Sequence, residues 1–272
     1  MKDKIMSDNQ VVIGVFGGTG FYSLLDKFEE CLVETPYGAP SGKLIKGKIA
    51  DKNVVFMARH GDKHELPPHK INYRANVYAM HQAGVTRLIS PCAAGSLVKE
   101  VKPGDFVFCD QYIDRTKNRI DTFYDGPIST HVSAANPYCD ELRHIAITGA
   151  KQANISHHPD GNIVVIEGPR FSTKAESKWY SSMGLQVINM TQYPEVHLAR
   201  ELQMCTLNIS LITDYDAGLI DNIEPVSHEK VMEIFSQNLS NLRILLEKII
   251  KQIPNERSKC TCSTTLKHAR IT

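Results

Sequence analysis

Two carboxylates follow a short apolar run in the last third of the sequence. Residues 207–212 predict a buried strand, and Asp214 and Asp216 come where that strand leaves the sheet. In an open α/β sheet, ligands bind at the carboxyl ends of strands, so a pair of acids there is well placed for chemistry. An aspartate at a strand end is also a common turn former or helix cap, and this segment alone favours that alternative.

Three earlier segments carry groups that could hold an anion. Residues 17–20 form a small-residue loop after a predicted strand, residues 59–61 follow another strand, and residues 91–96 form a second small-residue loop. An arginine fork suits a phosphate or a carboxylate. A dinucleotide-binding loop remains an alternative for the first segment, although the full G-x-G-x-x-G pattern is missing. For the second segment, a solvated loop without a ligand is the alternative. The candidate donors are Thr19, Arg59, His60 and the backbone of Cys92 and Ala93.

Other side chains suit a flat ring. Phe171, in the turn at residues 167–173, presents an aromatic face for stacking, and Met190 offers a pliable apolar surface. Asp214 and Asp216 can accept hydrogen bonds, or act as an acid if burial raises a pKa. An anion, a flat heterocycle and a group between them indicate a phosphorylase that acts on a nucleoside.

Composition narrows the class of protein. The 272 residues suffice for one large α/β domain or two small ones, and the chain is 42% hydrophobic and 22% charged, as in ordinary globular proteins. Lys plus Arg number 31 against 30 Asp plus Glu, which gives no electrostatic case for nucleic acid or an anionic membrane. No apolar run is long enough to serve as a signal peptide or to span a bilayer, so we expect a cytoplasmic protein with a small-molecule partner.

The hydrophobic pattern predicts one domain, because we find no repeat, low-complexity tract or linker. Its bounds are residues 11–252, preceded by a flexible N-terminus at residues 1–10 and followed by a tail at residues 253–272 with Cys260 and Cys262. Residues 114–136 are polar without clear periodicity, which favours a functional loop or lid. Predicted strands cover residues 11–16, 43–49, 53–58, 87–90, 106–111, 162–166 and 186–189, and predicted helices cover residues 72–84, 138–154, 194–201 and 227–252. A further helix is predicted to begin near Lys174, with Ser172 or Thr173 as its cap.

Nine short motifs, in order from about residue 11 to residue 247, resemble one family. The resemblance is to the trimeric purine nucleoside phosphorylases and, within them, the methylthioadenosine phosphorylases. The matching segments are Gly17-Gly18-Thr19-Gly20, Arg59-His60-Gly61, Asn72-Tyr73-Arg74-Ala75-Asn76, Pro103-Gly104-Asp105, Asp114-Arg115-Thr116, Glu167-Gly168-Pro169-Arg170-Phe171-Ser172, Asn189-Met190-Thr191, Pro194-Glu195 and Thr213-Asp214-Tyr215-Asp216.

The resemblance implies a fold, an assembly and a reaction. The fold is a three-layer α/β/α sandwich with a distorted mixed central sheet, and the assembly is a homotrimer or a dimer of trimers whose sites borrow a residue from a neighbour. In the reaction, phosphate attacks the anomeric carbon of methylthioadenosine to give adenine and methylthioribose 1-phosphate. Phosphate is a co-substrate, and no cofactor is implied.

The resemblance also implies roles for single residues. Phosphate would be held by Thr19, Arg59, His60, Cys92, Ala93 and Thr191. Met190 would lie under the ribose, Phe171 and Ser172 would contact the base, and His131 would reach the neighbouring subunit's methylthio pocket. As the glycosidic bond breaks, the purine gains negative charge, so a neutral Asp214 could protonate its ring nitrogen 7.

Asp216 would then accept a hydrogen bond from the exocyclic amino group of adenine. A 6-oxopurine nucleoside is the alternative substrate, but its carbonyl needs a donor, for which an amide would be expected instead of Asp216.

The cysteines depart from the family pattern in two places. We expect threonine where this chain has Cys92, and a thiol donates a hydrogen bond more weakly. Cys260-Thr261-Cys262 resembles the tail of archaeal thermophile forms, where such cysteines form stabilising disulfides; a disordered tail with reduced thiols is the alternative. A pair of cysteines offers too few ligands for zinc, so we expect no metal.

Overall fold

Strands and helices alternate along most of the chain. The structure is a computed structural model that describes residues 10–17, 19–25, 27–217, 225–257 and 259–270; the predicted flexible N-terminus lies outside these residues except for Gln10. The strands are β1 (Val12–Phe16), β2 (Phe28–Cys31), β3 (Leu44–Ile49), β4 (Lys52–Met57), β5 (Val85–Ser96), β6 (Phe106–Val107), β7 (Gln111–Arg115), β8 (His157–His158), β9 (Asn162–Ile166), β10 (Val187–Asn189) and β11 (Cys205–Asp214). The helices are α1 (Tyr73–Gln82), α2 (Asp140–Gln152), α3 (Lys174–Ser182), α4 (Gln192–Glu201) and α5 (His228–Gln252).

These strands form one mixed sheet that branches at β5. Its main path is β2-β3-β4-β1-β5-β10-β9-β7, and β11 also pairs with β5. β1 and β11 run parallel to β5, whereas β10 runs antiparallel to it. Register shifts interrupt both the β1–β5 and the β5–β11 pairing. The predicted distorted mixed sheet is therefore confirmed.

Helices cover both faces of the sheet. Alternate residues of β4 enter different hydrophobic clusters, because successive strand side chains point to opposite faces. Val54 and Phe56 pack in the cluster that contains α2 and α5, whereas Val55 and Met57 pack in the cluster that contains α1 and α4. The three predicted layers follow from this alternation. Among the described helices, none is both long enough and apolar enough to cross a bilayer.

β5 is longer than the sequence predicts. We expect a strand at residues 87–90 and a loop after it, but β5 continues from Val85 to Ser96, so the predicted loop is wrong. The cause is β11, which pairs with β5 from Arg87 to Gly95 and so keeps this segment extended. Pro91 is tolerated because, in the part of the chain that the structure describes, the opposite edge of β5 has no strand partner at this position.

The segment at residues 114–136 is anchored in its first half. Arg119 donates to the Glu167 carbonyl at 2.8 Å and lies over the Tyr73 ring at 4.9 Å. Thr122 Oγ1 and the Phe123 N–H both donate to the Glu201 carboxylate at 2.7 Å. Arg119 thereby connects this segment to the turn after β9, where the candidate ring platform lies.

The C-terminal tail packs against the end of α4 and carries no disulfide. Gln203 Nε2 donates to the Ser263 carbonyl at 2.6 Å, and Thr265 Oγ1 donates to the Arg200 carbonyl at 3.0 Å. All seven cysteines are free. The sulfur atoms of Cys205 and Cys260 are 3.5 Å apart, far beyond the bond length of about 2.05 Å, so the predicted disulfide is not supported.

Candidate active site

A gap along one edge of β5 creates the candidate site. β1 pairs with this edge up to Ile89, and β10 pairs with it only at Gly95 and Ser96, while β11 occupies the other edge. No described strand therefore pairs with residues 90–94 on this side. Because β10 is antiparallel to β1, the carboxyl ends of both strands point toward the gap from opposite directions.

A cavity of about 970 Å³ fills this gap, near the upper end of the range for small-molecule pockets. It is lined by residues of six strands (β1, β4, β5, β9, β10 and β11) or of the turns that follow them, and by one side of α5. The predicted site residues that line it are Arg59, His60, Cys92, Ala93, Phe171, Met190, Thr191, Asp214 and Asp216. The described lining does not include Ser172 or His131, and the side chain of Thr19 lies outside the described residues.

Asp214 ends β11 and faces the cavity with both oxygens engaged. Its Oδ1 accepts from the Asp216 N–H at 2.8 Å, and its Oδ2 lies 2.7 Å from Thr213 Oγ1. Burial raises the pKa of Asp214, and the nearby charge of Asp216 adds to the rise. The strand therefore delivers a carboxyl group that keeps its proton at a higher pH than an exposed aspartate does.

Asp216 lies two residues after Asp214, in the turn that follows β11, and its backbone is in the left-handed region at φ +47°. Aspartate is enriched among non-glycine residues with positive φ. The side chain is only 4% exposed, and its Oδ2 accepts a short hydrogen bond from Ser177 Oγ of α3. Burial raises the pKa of Asp216, and the Ser177 hydrogen bond opposes part of that rise. Hydrogen bonds from Ser172 and from the Ala217 N–H oppose it further, and the carboxylate still has a lone-pair site for a ligand.

Arg59 is held in a buried ion pair. Its Nε and Nη2 donate to the two oxygens of Glu195 at 2.6 and 3.0 Å, in the bidentate geometry that arginine favours. Nη2 also donates to Ser90 Oγ at 2.7 Å, and Nη1 donates to the Pro91 carbonyl at 3.1 Å. Since a guanidinium has five N–H groups, one on Nη1 remains for the cavity. An anion there meets a pair whose net charge is zero.

His60 is neutral at physiological pH. Burial, together with the charge of Arg59, lowers its pKa to about 4. Its Nδ1 lies 2.9 Å from the Leu66 carbonyl, which accepts a hydrogen bond from that nitrogen; the proton of the neutral ring is therefore on Nδ1, and Nε2 is unprotonated. Its ring stacks on the ring of His64, with centroids 4.5 Å apart. His60 can therefore take up a proton when an anion enters.

We expect a dianion to bind more tightly as the pH falls. Because a dianion favours the charged imidazole, it raises the lowered pKa of His60, and binding takes up a proton between about pH 7 and pH 4. Sulfate is the suitable probe, since it stays a dianion over this range. The rise of Tm that sulfate causes should increase from pH 7 to pH 5 in the wild type and stay constant in His60→Asn. An equal pH dependence in both proteins would contradict this role of His60.

Cys92 lines the cavity while its sulfur is occupied elsewhere. Asn189 Nδ2 donates to Cys92 Sγ at 3.2 Å, and Asn208 Nδ2 approaches it at 3.5 Å. Cys92 Sγ also lies 3.5 Å from Ser210 Oγ, to which its S–H can donate, so the backbone is what Cys92 and Ala93 offer to an anion. Thr191 is buried at the start of α4 and makes no capping hydrogen bond with its side chain, so its hydroxyl is available to the cavity.

The turn between β9 and α3 supplies the apolar wall. Thr173 caps α3, and its hydroxyl and Glu176 form a reciprocal capping box, which confirms the predicted cap in this turn. Phe171 lies on the cavity wall and is 37% exposed. Gly168 has φ +67°, and a Cβ there would lie 2.6 Å from Met190 Sδ. Glycine thus lets Met190 fill the floor below this turn.

His131 lies away from the cavity of its own chain. The residue is exposed, and its backbone N–H donates to the Ala269 carbonyl of the tail at 2.7 Å. The adjacent Thr130 forms a bridge with Arg270. The predicted contribution of His131 to a neighbouring subunit stays a prediction.

Three contributors carry no role in the sequence analysis: Glu195, Ser177 and Gly95. Glu195 follows a proline at a helix start, where an acid is ordinarily explained by the helix dipole. Ser177 lies inside α3, and Gly95 looks like one more small residue of a predicted loop. Their roles depend on pairs distant in the sequence, such as Arg59 with Glu195, so no local pattern marks them.

Comparisons with known proteins agree on one family. The family model described as "Phosphorylase superfamily" matches residues 12–251. An S-methyl-5'-thioadenosine phosphorylase of Thermofilum pendens is 48% identical over 264 residues, which cover 96% of this chain and 99% of that protein. A probable 6-oxopurine nucleoside phosphorylase of Dictyoglomus turgidum is 47% identical, with 95% and 97% covered.

Among solved structures, the methylthioadenosine phosphorylase of Schistosoma mansoni in complex with adenine is similar to this chain. The TM-score is 0.90 at 34% identity, and the match covers 96% of this chain and 99% of that one.

Proposed function

The chain belongs to the phosphorylase superfamily, and on this premise we propose that it cleaves 5'-methylthioadenosine with inorganic phosphate. The products are adenine and 5-methylthioribose 1-phosphate, which makes the enzyme a pentosyltransferase of purine and methionine salvage. Adenosine is a second expected substrate, and the reaction needs no cofactor. We further propose a cytoplasmic homotrimer or dimer of trimers, in which His131 serves the neighbouring site.

The observation that carries the proposal is the pair of buried acids beside an anion-binding gap. A phosphate oxygen attacks C1' of the ribose as the bond from C1' to N9 of the purine breaks, and the electron pair leaves with the purine. Asp214 donates its proton to ring nitrogen 7, since burial keeps that carboxyl protonated to a higher pH than usual. As the ribose becomes cation-like, the site thus stabilises both the attacking phosphate and the departing purine.

Asp216 supports adenine as the leaving base. A carboxylate has about four lone-pair sites, and Ser177, Ser172 and the Ala217 N–H take at most three of them, so Asp216 can accept one more hydrogen bond from the exocyclic amino group. A 6-oxopurine presents a carbonyl at that position, which would face the carboxylate without a donor between them. The relatives named above include enzymes of both substrate classes, so this contact is what favours methylthioadenosine.

A comparison of three nucleosides tests the proposal. Purified enzyme is supplied with excess phosphate and with methylthioadenosine, adenosine or inosine, and release of the base is followed. We expect kcat/KM to be largest for methylthioadenosine, smaller for adenosine and smallest for inosine. A preference for inosine would overturn the adenine assignment and favour a 6-oxopurine nucleoside phosphorylase.

The position of Asp214 depends on Gly95. A Cβ at residue 95 would lie 2.9 Å from Asp214 Oδ1 and 3.0 Å from Ile188 Cγ2. Gly95→Ala is therefore expected to displace the carboxyl group and lower kcat by up to about 10²-fold, since a misplacement of about 1 Å can have that effect. Gly149→Ala in α2 is the matched control, because its new Cβ would have no described neighbour closer than 3.5 Å. Normal kcat in Gly95→Ala would contradict this dependence.

A further inference from the structure

Four cysteine sulfurs meet at the end of the molecule where β11 begins. The Sγ atoms of Cys139, Cys205, Cys260 and Cys262 all lie within 4.8 Å of one another. Cys139 is the residue before α2, and Cys205 is the first residue of β11. Cys260 and Cys262 come from the C-terminal tail. The fold thus brings sulfur atoms from three separate parts of the chain to one point.

The spacing of these sulfurs fits a tetrahedral metal better than it fits disulfides. In a zinc tetrathiolate with bonds of about 2.3 Å, neighbouring sulfurs are about 3.8 Å apart. Cys205 and Cys260 are separated by 3.5 Å, close to that value and well above the length of a disulfide. Disulfides would also join the sulfurs in pairs, whereas here all four converge. We propose that Cys139, Cys205, Cys260 and Cys262 bind one Zn²⁺ as a structural site.

A buried positive charge lies beside the four sulfurs and suits a negatively charged cluster. Four thiolates around Zn²⁺ carry a net charge of −2. Arg87 is fully buried and its Nη1 donates to Cys205 Sγ at 3.2 Å, which supplies a partly compensating positive charge and fixes the ligand. The same guanidinium is held by Glu141 at 2.6 Å and by the Glu256 carbonyl at 2.7 Å. Arg87 therefore links the cluster to α2 and to the tail.

Burial and access also suit a structural ion. Cys139, Cys205 and Cys262 are buried, and Cys260 is half-buried, which gives the ion a way in. All four positions would be filled by sulfur, so no site is left for water or substrate, as in structural zinc centres. Soft thiolate ligands select zinc over magnesium, calcium or manganese.

A zinc ion here would fasten the tail to the rest of the fold. The tail also contacts the segment that carries His131, through the His131 N–H and the Ala269 carbonyl at 2.7 Å. The metal therefore lies at one end of β11 and the two acids lie at the other, on Asp214 and the turn after it. Removal of zinc should loosen the tail and lower Tm without abolishing the chemistry at the distant acids.

Metal content of the full-length protein tests the proposal. The protein is purified under reducing conditions from zinc-supplemented medium, and its metals are measured by mass spectrometry. We expect about one zinc per chain, and X-ray absorption at the zinc edge should give four sulfur neighbours at about 2.3 Å. The Cys260→Ser, Cys262→Ser double variant should lose the zinc, and its Tm should fall by several degrees. Cys31→Ser, which alters a cysteine outside the cluster, should keep both.

Either of two results would overturn the proposal. One is wild-type protein without zinc in which titration finds every thiol free. The other is a non-reduced intact mass lower than the reduced mass, which means that the cluster is oxidised to disulfides. Both are measured on the wild-type chain, so the proposal can be tested even if the double variant does not fold. Neither result bears on the nucleoside chemistry.

Discussion

Replacing Asp214 by asparagine is expected to lower kcat for methylthioadenosine by about 10² to 10⁴ fold, the range in which a general acid contributes. The KM for phosphate should change little, because the proposed function assigns Asp214 to the base and Arg59 and His60 to the anion. Asparagine keeps the size of the side chain and can still accept from the Asp216 N–H. The variant therefore lacks the acidic proton of Asp214 but is expected to keep the fold.

The hydrogen bonds around Asp214 suit a protonated acid. Thr213 Oγ1 lies 2.7 Å from Asp214 Oδ2 and 3.3 Å from the Ala94 carbonyl. A hydroxyl has one proton, so when Thr213 donates to the carbonyl it can accept from a protonated Asp214. The neutral form thus has a partner, and proton transfer to the purine needs only a shift of this one bond.

Leaving-group chemistry supplies the control for Asp214→Asn. A riboside whose leaving group is a nitrophenolate needs no proton, so it should be cleaved at similar rates by the variant and the wild type. With methylthioadenosine, wild-type kcat should fall as the pH rises through the raised pKa of Asp214, because the acid loses its proton there. The variant should lack that fall. An equal loss of rate with both leaving groups would contradict the role of general acid.

The second large effect concerns the ion pair of Arg59 and Glu195. Glu195→Gln leaves a guanidinium that is 6% exposed without its anion, and the loss of one partner of a buried pair typically costs about 3 to 5 kcal/mol. Phosphate supplies the missing negative charge when it binds. We therefore expect Glu195→Gln to lower Tm strongly and to gain more stability from saturating phosphate than the wild type does.

Glu201→Gln is the matched control for this prediction. Glu201 is also a buried acid of α4, but it accepts from Thr122 and Phe123 and lies outside the described lining of the cavity. That variant should be destabilised too, yet its stabilisation by phosphate should equal that of the wild type. Equal phosphate effects in Glu195→Gln and the wild type would show that phosphate does not bind at Arg59.

Local patterns in the sequence predict much of this fold. The apolar run that ends in Asp214 is a strand, the helix after Thr173 begins at its cap, and the mixed sheet follows from the family resemblance. The strand and the helix cap depend on residues that are neighbours in the sequence, so local patterns predict them directly, whereas the mixed sheet is implied only by the resemblance. Residues 59–60 and 92–93, which the sequence predicts as donors to an anion, likewise line the cavity.

Features that depend on distant pairs could not be predicted. Small residues after Pro91 resemble a loop, and only the pairing with β11 keeps them extended. Arg59 looks like a free cation until Glu195, 136 residues away, is placed beside it. The pair Cys260 and Cys262 offers too few metal ligands by itself, and the fold brings two further thiols to it. In each case the missing information is a tertiary contact.

In the proposed reaction, the gap in the sheet brings phosphate to C1' of methylthioadenosine. The products formed from methylthioadenosine with and without inorganic phosphate show whether phosphate is the nucleophile. We predict equal amounts of adenine and 5-methylthioribose 1-phosphate, and none of either when phosphate is omitted. Release of adenine with free methylthioribose in the absence of phosphate would identify water as the nucleophile and overturn the proposed phosphorolysis.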